Sequence, residues 1–317
     1  MMLPVHPVRG QTKRKDQAGL LVILWLLLFL PATAFSQSSA RLFVPDRIAL
    51  PEEQTTLEAY LVRRGLLGIL SPAVQGELIQ FFDGADNPLG DRLTDASGLA
   101  RVPFRSAHPG VSTFTARLAE NPRFTADPAF GRVFIQKRAC PLLFVLIEGA
   151  LAPHKPMQRF FPKWEESPAA PGSREKIEKL SAAHNLVYLT LMPKFSTQEV
   201  RKWLEDKGFP LAPLVPLESG IEIEAGGEAT PDTEGLEALW KDRSLLAHLV
   251  TGNRSFAEAA AGKGFRAYLI AESLEGTPPS GKSAPAQKPS GVKVLQGWEK
   301  FEPDRSGPGS RKDPGNG

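Results

Sequence analysis

The sequence predicts two domains, an all-β sandwich followed by an α/β domain of three layers built on a parallel sheet. Three observations carry this expectation. Residues 40–136 hold short segments in which apolar and polar side chains alternate, the period of strands with one buried face. After Cys140 apolar runs alternate with helical patterns, which calls for parallel strands joined by crossovers. Residues 142–151 read Leu-Leu-Phe-Val-Leu-Ile-Glu-Gly-Ala-Leu, an unbroken apolar run ending in an acidic residue and Gly. That is the pattern of a parallel strand covered on both faces, opening into a loop at the carboxyl edge of its sheet.

The amino end belongs to neither domain. Lys13, Arg14 and Lys15 precede the apolar run 20–30, and Pro31 and small residues follow it, the pattern of a secretory signal peptide over residues 1–36. The run is shorter than the ~18–20 residues of a spanning helix, and Ala34-Phe35-Ser36 suits cleavage, giving an exported, periplasmic or extracellular protein. An uncleaved anchor is the alternative, and the only route to a membrane. Residues 1–36 carry Arg9, Lys13, Arg14, Lys15 and Asp16, so the formal charge of +3 falls to zero without them. A neutral chain has no electrostatic footprint for nucleic acid, and that partner class is set aside. Cys140, the single cysteine, has no intrachain partner for a disulfide.

Within 40–137 the strands follow from the alternation. Ala100, Val102 and Phe104 face one way with Arg101 and Arg105 opposite, and Phe114, Ala116 and Leu118 alternate with Thr113, Thr115 and Arg117. Thr94-Asp95-Ala96-Ser97-Gly98 and His108-Pro109-Gly110 supply tight connections. In the second domain, 141–273, Ser173 is expected to cap a helix that turns Ile177 and Leu180 inward, before a strand over 186–190. Ser196 and Glu199 have capping-box spacing ahead of the stripe Val200, Trp203 and Leu204, and Gly208 with Pro210 ends that helix. Further strands fit 214–215, 245–250 and 267–270. Ser255 and Glu258 have capping-box spacing between the last two. Residues 274–317, rich in Pro, Gly, Ser and Lys, are expected to be a largely disordered tail, interrupted by Val292-Lys293-Val294-Leu295 and Trp298, which could dock on a partner or on the sheet.

Two resemblances sharpen this reading. Gly76-Glu77-Leu78-Ile79-Gln80-Phe81, the turn through residues 94–100 and Pro109-Gly110 are similar to bacterial immunoglobulin-like domains, which implies a spacer or adhesion module. The second domain resembles the haloacid dehalogenase superfamily, most of all its lipin-like branch. The residues that carry this are Val187-Tyr188-Leu189-Thr190-Leu191-Met192-Pro193, then Val200-Arg201-Lys202-Trp203-Leu204, Lys207-Gly208-Phe209-Pro210 and Gly252-Asn253-Arg254. The resemblance implies that Thr190 would hold a phosphoryl oxygen and that Lys241 matches a charge-neutralising lysine, with Gly252 and Asn253 completing a ligand-binding edge.

The catalytic carboxylates do not carry over. Leu146 stands where the resemblance calls for the nucleophilic Asp, Ala150 for a Thr and Ala257 for a metal-binding Asp, leaving Glu148 as a vestige of the general acid/base. A phosphoaspartyl intermediate needs a carboxylate at the first of these positions. Magnesium is held by one or two carboxylates with water and substrate phosphate, and one remains. The expectation is therefore a non-catalytic binding or scaffold protein without metal or cofactor. It would take a phosphate-containing ligand, a lipid headgroup or a protein partner. The alternative is a divergent Mg²⁺-dependent phosphatase using Glu148. Amino-terminal sequencing of exported protein is expected to start near Gln37; recovery of the intact Met1 end in washed membranes would establish the anchor instead.

Overall fold

The computed structural model describes residues 37–63, 72–152, 164–217, 233–239, 246–271 and 291–303, with the side chains of Phe195, Glu234 and Ala238 left undescribed. The signal-peptide pattern and Lys241 lie outside these residues. No helix among the described residues is long and apolar enough to cross a membrane.

The first nine strands form two facing sheets. β1 (Ser38–Phe43), β3 (Gln54–Arg63), β6 (Leu99–Arg105) and β8 (Phe124–Thr125) make one, in the order β6-β3-β1-β8. β2 (Arg47–Ala49), β4 (Leu78–Asp83), β5 (Pro88–Leu93), β7 (Gly110–Leu118) and β9 (Ala129–Ile135) make the other, in the order β2-β9-β7-β4-β5. Alternate residues point inward from both: Leu57, Ala59 and Leu61 from β3 meet Ile79 and Phe81 from β4 and Phe114 and Ala116 from β7 in one core. This is the sandwich the period-two pattern called for. The turn after β5 is a corner between the sheets. Asp95 accepts hydrogen bonds from the amides of Ser97 at 2.8 Å and Leu99 at 3.1 Å, and Gly98 takes φ +75°, where a methyl group would overlap the carbonyl oxygen of Leu61.

The remaining strands form a separate, wholly parallel sheet. β10 (Leu142–Leu146), β11 (Asn185–Thr190), β12 (Leu214–Pro216), β13 (Ala247–Thr251), β14 (Arg266–Ile270) and β15 (Val292–Leu295) run in the order β12-β11-β10-β13-β14-β15. Helices α1 (Ser173–Ser181) and α2 (Thr197–Asp206) pack Ile177, Val200, Trp203 and Leu204 on one face. Helices α3 (Thr233–Ala238) and α4 (Arg254–Gly262) place Leu236, Phe256 and Ala260 on the other.

Three expected caps are corrected. Gly172, at φ +68°, precedes α1, so Ser173 is the first helical residue and its hydroxyl donates to the Ala170 carbonyl at 2.6 Å. Ser196 has φ −101° and ψ 5° and makes no side-chain cap bond, because a 3₁₀ turn (Lys194–Ser196) runs straight into α2. At α4 the cap is Asn253, whose side chain accepts from the Phe256 amide at 2.9 Å, so Ser255 lies inside the helix.

The expected tail is also corrected over 291–303. β15 adds to β14 in parallel, pairing Ala267 with Val292 and Ile270 with Leu295. Trp298 and Phe301, both fully buried, close the core beneath Tyr268, and the Trp298 indole N–H donates to the Ala150 carbonyl at 2.7 Å. A short apolar group in a Pro- and Gly-rich segment thus completes the sheet. Trp298→Ala is expected to lower the unfolding free energy by about 3–5 kcal/mol, read by urea denaturation, because it opens a cavity and strands a carbonyl. A loss under about 1 kcal/mol would show that this segment is not part of the core.

Candidate functional site

Where the strand order reverses, between β10 and β13, the carboxyl ends of a parallel sheet form the usual crevice for a ligand. The expected site residues converge there. Leu146 ends β10 and Glu148 and Gly149 follow it; Thr190 ends β11; Thr251 ends β13, followed by Gly252 and Asn253.

The chain leaves β10 through a turn (Ile147–Ala150) whose interior is not helical, with Glu148 at ψ 117° and Gly149 at φ +86°. This conformation swings Glu148 across toward β11. The Thr190 hydroxyl donates to Oε1 at 2.5 Å and the Leu191 amide donates to Oε2 at 3.1 Å, so the carboxylate ties the exit of β10 to the exit of β11. Glu148 is only 6% exposed and Thr190 is fully buried. In addition, the Thr190 oxygen accepts from the Met192 amide at 3.1 Å. The one proton of Thr190 is thus given to Glu148, and a phosphoryl oxygen could reach it only by displacing that bond.

The second half of the edge is closed by backbone. Gly252 passes so near Gly149 that a methyl group on it would overlap the Gly149 carbonyl oxygen, and a methyl group on Gly149 would press on the Gly252 Cα at 3.3 Å. Thr251 fixes the bend by accepting from the Asn253 amide at 3.0 Å, and Asn253 turns its side chain into the cap of α4. Leu146, Ala150 and Ala257 are fully buried. Among the described residues no group of three His, Cys, Asp or Glu side chains is placed to hold a metal. The structure therefore brings Glu148, Thr190, Gly252 and Asn253 to one edge, while Lys241 lies outside the described residues. Sequence reasoning missed the Leu191 and Met192 amides. Backbone donors carry no residue signature, and the bond from Leu191 spans 43 positions.

No known protein family matches the chain, and no curated protein does. Among solved structures, part of the chain is similar to the D00-D0 domain of intimin, at 21% identity over 30% of this chain and 46% of that one, with a TM-score of 0.23. It is similar also to the BSP domain of a biofilm-associated protein, at 13% identity over 33% of this chain and 15% of the other, TM-score 0.23. A glycosyl hydrolase family 2 member from Bacteroides cellulosilyticus matches at 12% identity over 68% of this chain and 32% of its own, TM-score 0.27. The chain thus spans less than half the length of any of these, and likenesses at such TM-scores do not bear on what it does.

The geometry sets an order of mutational effects. Gly252→Ala is expected to destabilise the protein, whereas Gly262→Ala, in open space at the end of α4, is expected to be neutral or stabilising by up to about 1 kcal/mol. Glu148→Ala is expected to cost about 1–3 kcal/mol for each donor left unpaired, and Glu148→Gln less, because one oxygen still accepts. Thermal or urea unfolding of the four variants reads this directly, and equal effects for Glu148→Ala and Glu148→Gln would refute the brace.

Proposed function

We propose that this is an exported, non-catalytic binding or scaffold protein, in which an immunoglobulin-like sandwich is joined to a haloacid dehalogenase-like domain of the lipin-like type that has lost its chemistry. One observation carries the reading: Glu148, the acidic residue left at the carboxyl edge, is held by the Thr190 hydroxyl and the Leu191 amide as a brace between strands. A general base must present a lone pair to water or substrate. Here a buried carboxylate gives lone pairs to its own fold.

The parallel sheet, with β10 at its centre between β11 and β13, supports the haloacid dehalogenase reading, as do the residues from Val187 to Pro193 that prompted it. Leu146 has no nucleophilic atom, and Glu148, the one carboxylate left for Mg²⁺ by the resemblance, is already engaged by Thr190 and Leu191. For an anionic ligand such as a lipid phosphate, the groups implied by resemblance are already bonded internally at Thr190 and Asn253. Those bonds favour the scaffold role, with a protein as partner, over capture of a phosphate at this edge. Export rests on the charged and apolar pattern of residues 1–36.

Purified mature protein is expected to release no phosphate above background from a generic phosphomonoester with Mg²⁺, and Glu148→Gln to leave that result unchanged. Metal-dependent turnover that Glu148→Gln abolishes would establish the divergent phosphatase instead.

A further inference from the structure

The loop joining β1 to β2 carries Asp46 out of the sandwich and into the α/β unit. Its Oδ2 accepts from the Leu214 amide at the start of β12 at 2.9 Å and pairs with the Arg201 guanidinium of α2 at 2.8 Å. The Asp46 side chain is 1% exposed and Arg201 is 21% exposed. The other carboxylate oxygen, Oδ1, is buried with no hydrogen-bond partner among the described residues.

This pair lies on a stripe of contacts. From α2, Gln198 meets Arg41 at 3.4 Å, Arg201 meets Asp46, and Glu205 meets Arg132 at 3.2 Å. Positions 198, 201 and 205 share one side of a helix, while Val200, Trp203 and Leu204 turn the other side into the parallel-sheet core. Helix α2 is thus held between the two units, apolar toward its own sheet and polar toward the sandwich. Nearer the chain crossing, Lys194 lies over the Tyr60 ring at 5.6 Å, and the Asn185 side chain bonds the Lys137 carbonyl at 2.7 Å.

A buried ion pair adds little stability, because stripping water from both charges offsets their attraction, yet leaving one charge without the other is strongly destabilising. Burial pushes the Asp46 carboxyl above its usual range, outweighing the opposing pull of Arg201, the Leu214 amide and Arg132. A carboxyl raised in this way contributes its stability in acid and loses it as pH rises through the folded value, so its ionised form beside Arg201 is held at a cost. What it does offer is discrimination. Any slide or rotation of the sandwich would part Arg201 from its carboxylate and leave the buried Asp46 without its donors.

We propose that the Asp46–Arg201 pair is an orientation lock, fixing one arrangement of the sandwich on the α/β unit without adding net stability. The inference stands independently of the reading of the carboxyl edge. In the full mature protein, Asp46→Leu/Arg201→Met is expected to keep or raise the melting temperature. Its small-angle scattering profile should broaden toward a mixture of arrangements, and trypsin should cut at the exposed Lys137 and Arg138 several-fold faster than in the unaltered protein. Asp46→Leu alone should melt lower than the double variant, since it leaves Arg201 unpaired. A double variant with the original scattering profile and cleavage rate would overturn the proposal, as would one that melts as low as the single variant or fails to fold, for then the pair would be a stabilising contact and not a lock.

Discussion

Burial of β10 on both faces is the constraint from which the α/β unit follows. All five residues from Leu142 to Leu146 are buried, with Leu143 and Val145 in the core under α1 and α2, and Leu142, Phe144 and Leu146 in the core under α3 and α4. A strand with no polar face cannot lie at the surface of a sheet, so helices must cover it on both sides and strands must flank both edges. β11 and β13 do so, and the reversal of strand order beside β10 then follows from the chain leaving in one direction and returning on the other side. The same burial fixes what the strand delivers at its end. Leu146 carries the core to the end of the strand, and the first polar side chain to emerge, Glu148, meets Thr190 instead of solvent.

An active site ordinarily holds polar groups that its own fold leaves partly unsatisfied, ready for substrate. At this edge donors and acceptors are paired with one another, the two glycine turns touch, and the helix cap is filled by Asn253. Each contact is small, but together they make this edge a joint. The apolar residues at 146, 150 and 257 and the bonding at 148 and 190 thus close the same edge from two sides.

The strands were legible in the sequence because their burial is one-sided or complete. Ala100, Val102 and Phe104 alternate visibly, and the run 142–146 is visibly continuous. Caps were not, since Ser, Thr and Asn at spacings of three recur on both sides of a helix start. Which one caps is decided by the backbone entering the helix, here by the Gly252 bend that points Asn253, not Ser255, at the Phe256 amide. The sixth strand was legible only as an apolar interruption that could dock on a partner or on the sheet. Four residues, of which Lys293 is charged, are too few for a strand period to show against their Pro- and Gly-rich surroundings. Nor could residues 46 and 201 announce each other across such a separation, where charge alone reads as solvent exposure.

The position of β15 has a consequence for how the protein is made. Every described strand of the sandwich is encoded by residue 135, ahead of the first strand of the parallel sheet. The parallel sheet is different: its core stays open until Leu295, Trp298 and Phe301 arrive, near the end of the chain. Long-range parallel pairing is slow to form in any case, and delaying the last strand delays it further. The segment that seals the second unit thus becomes available only after every other described strand of both sheets is present.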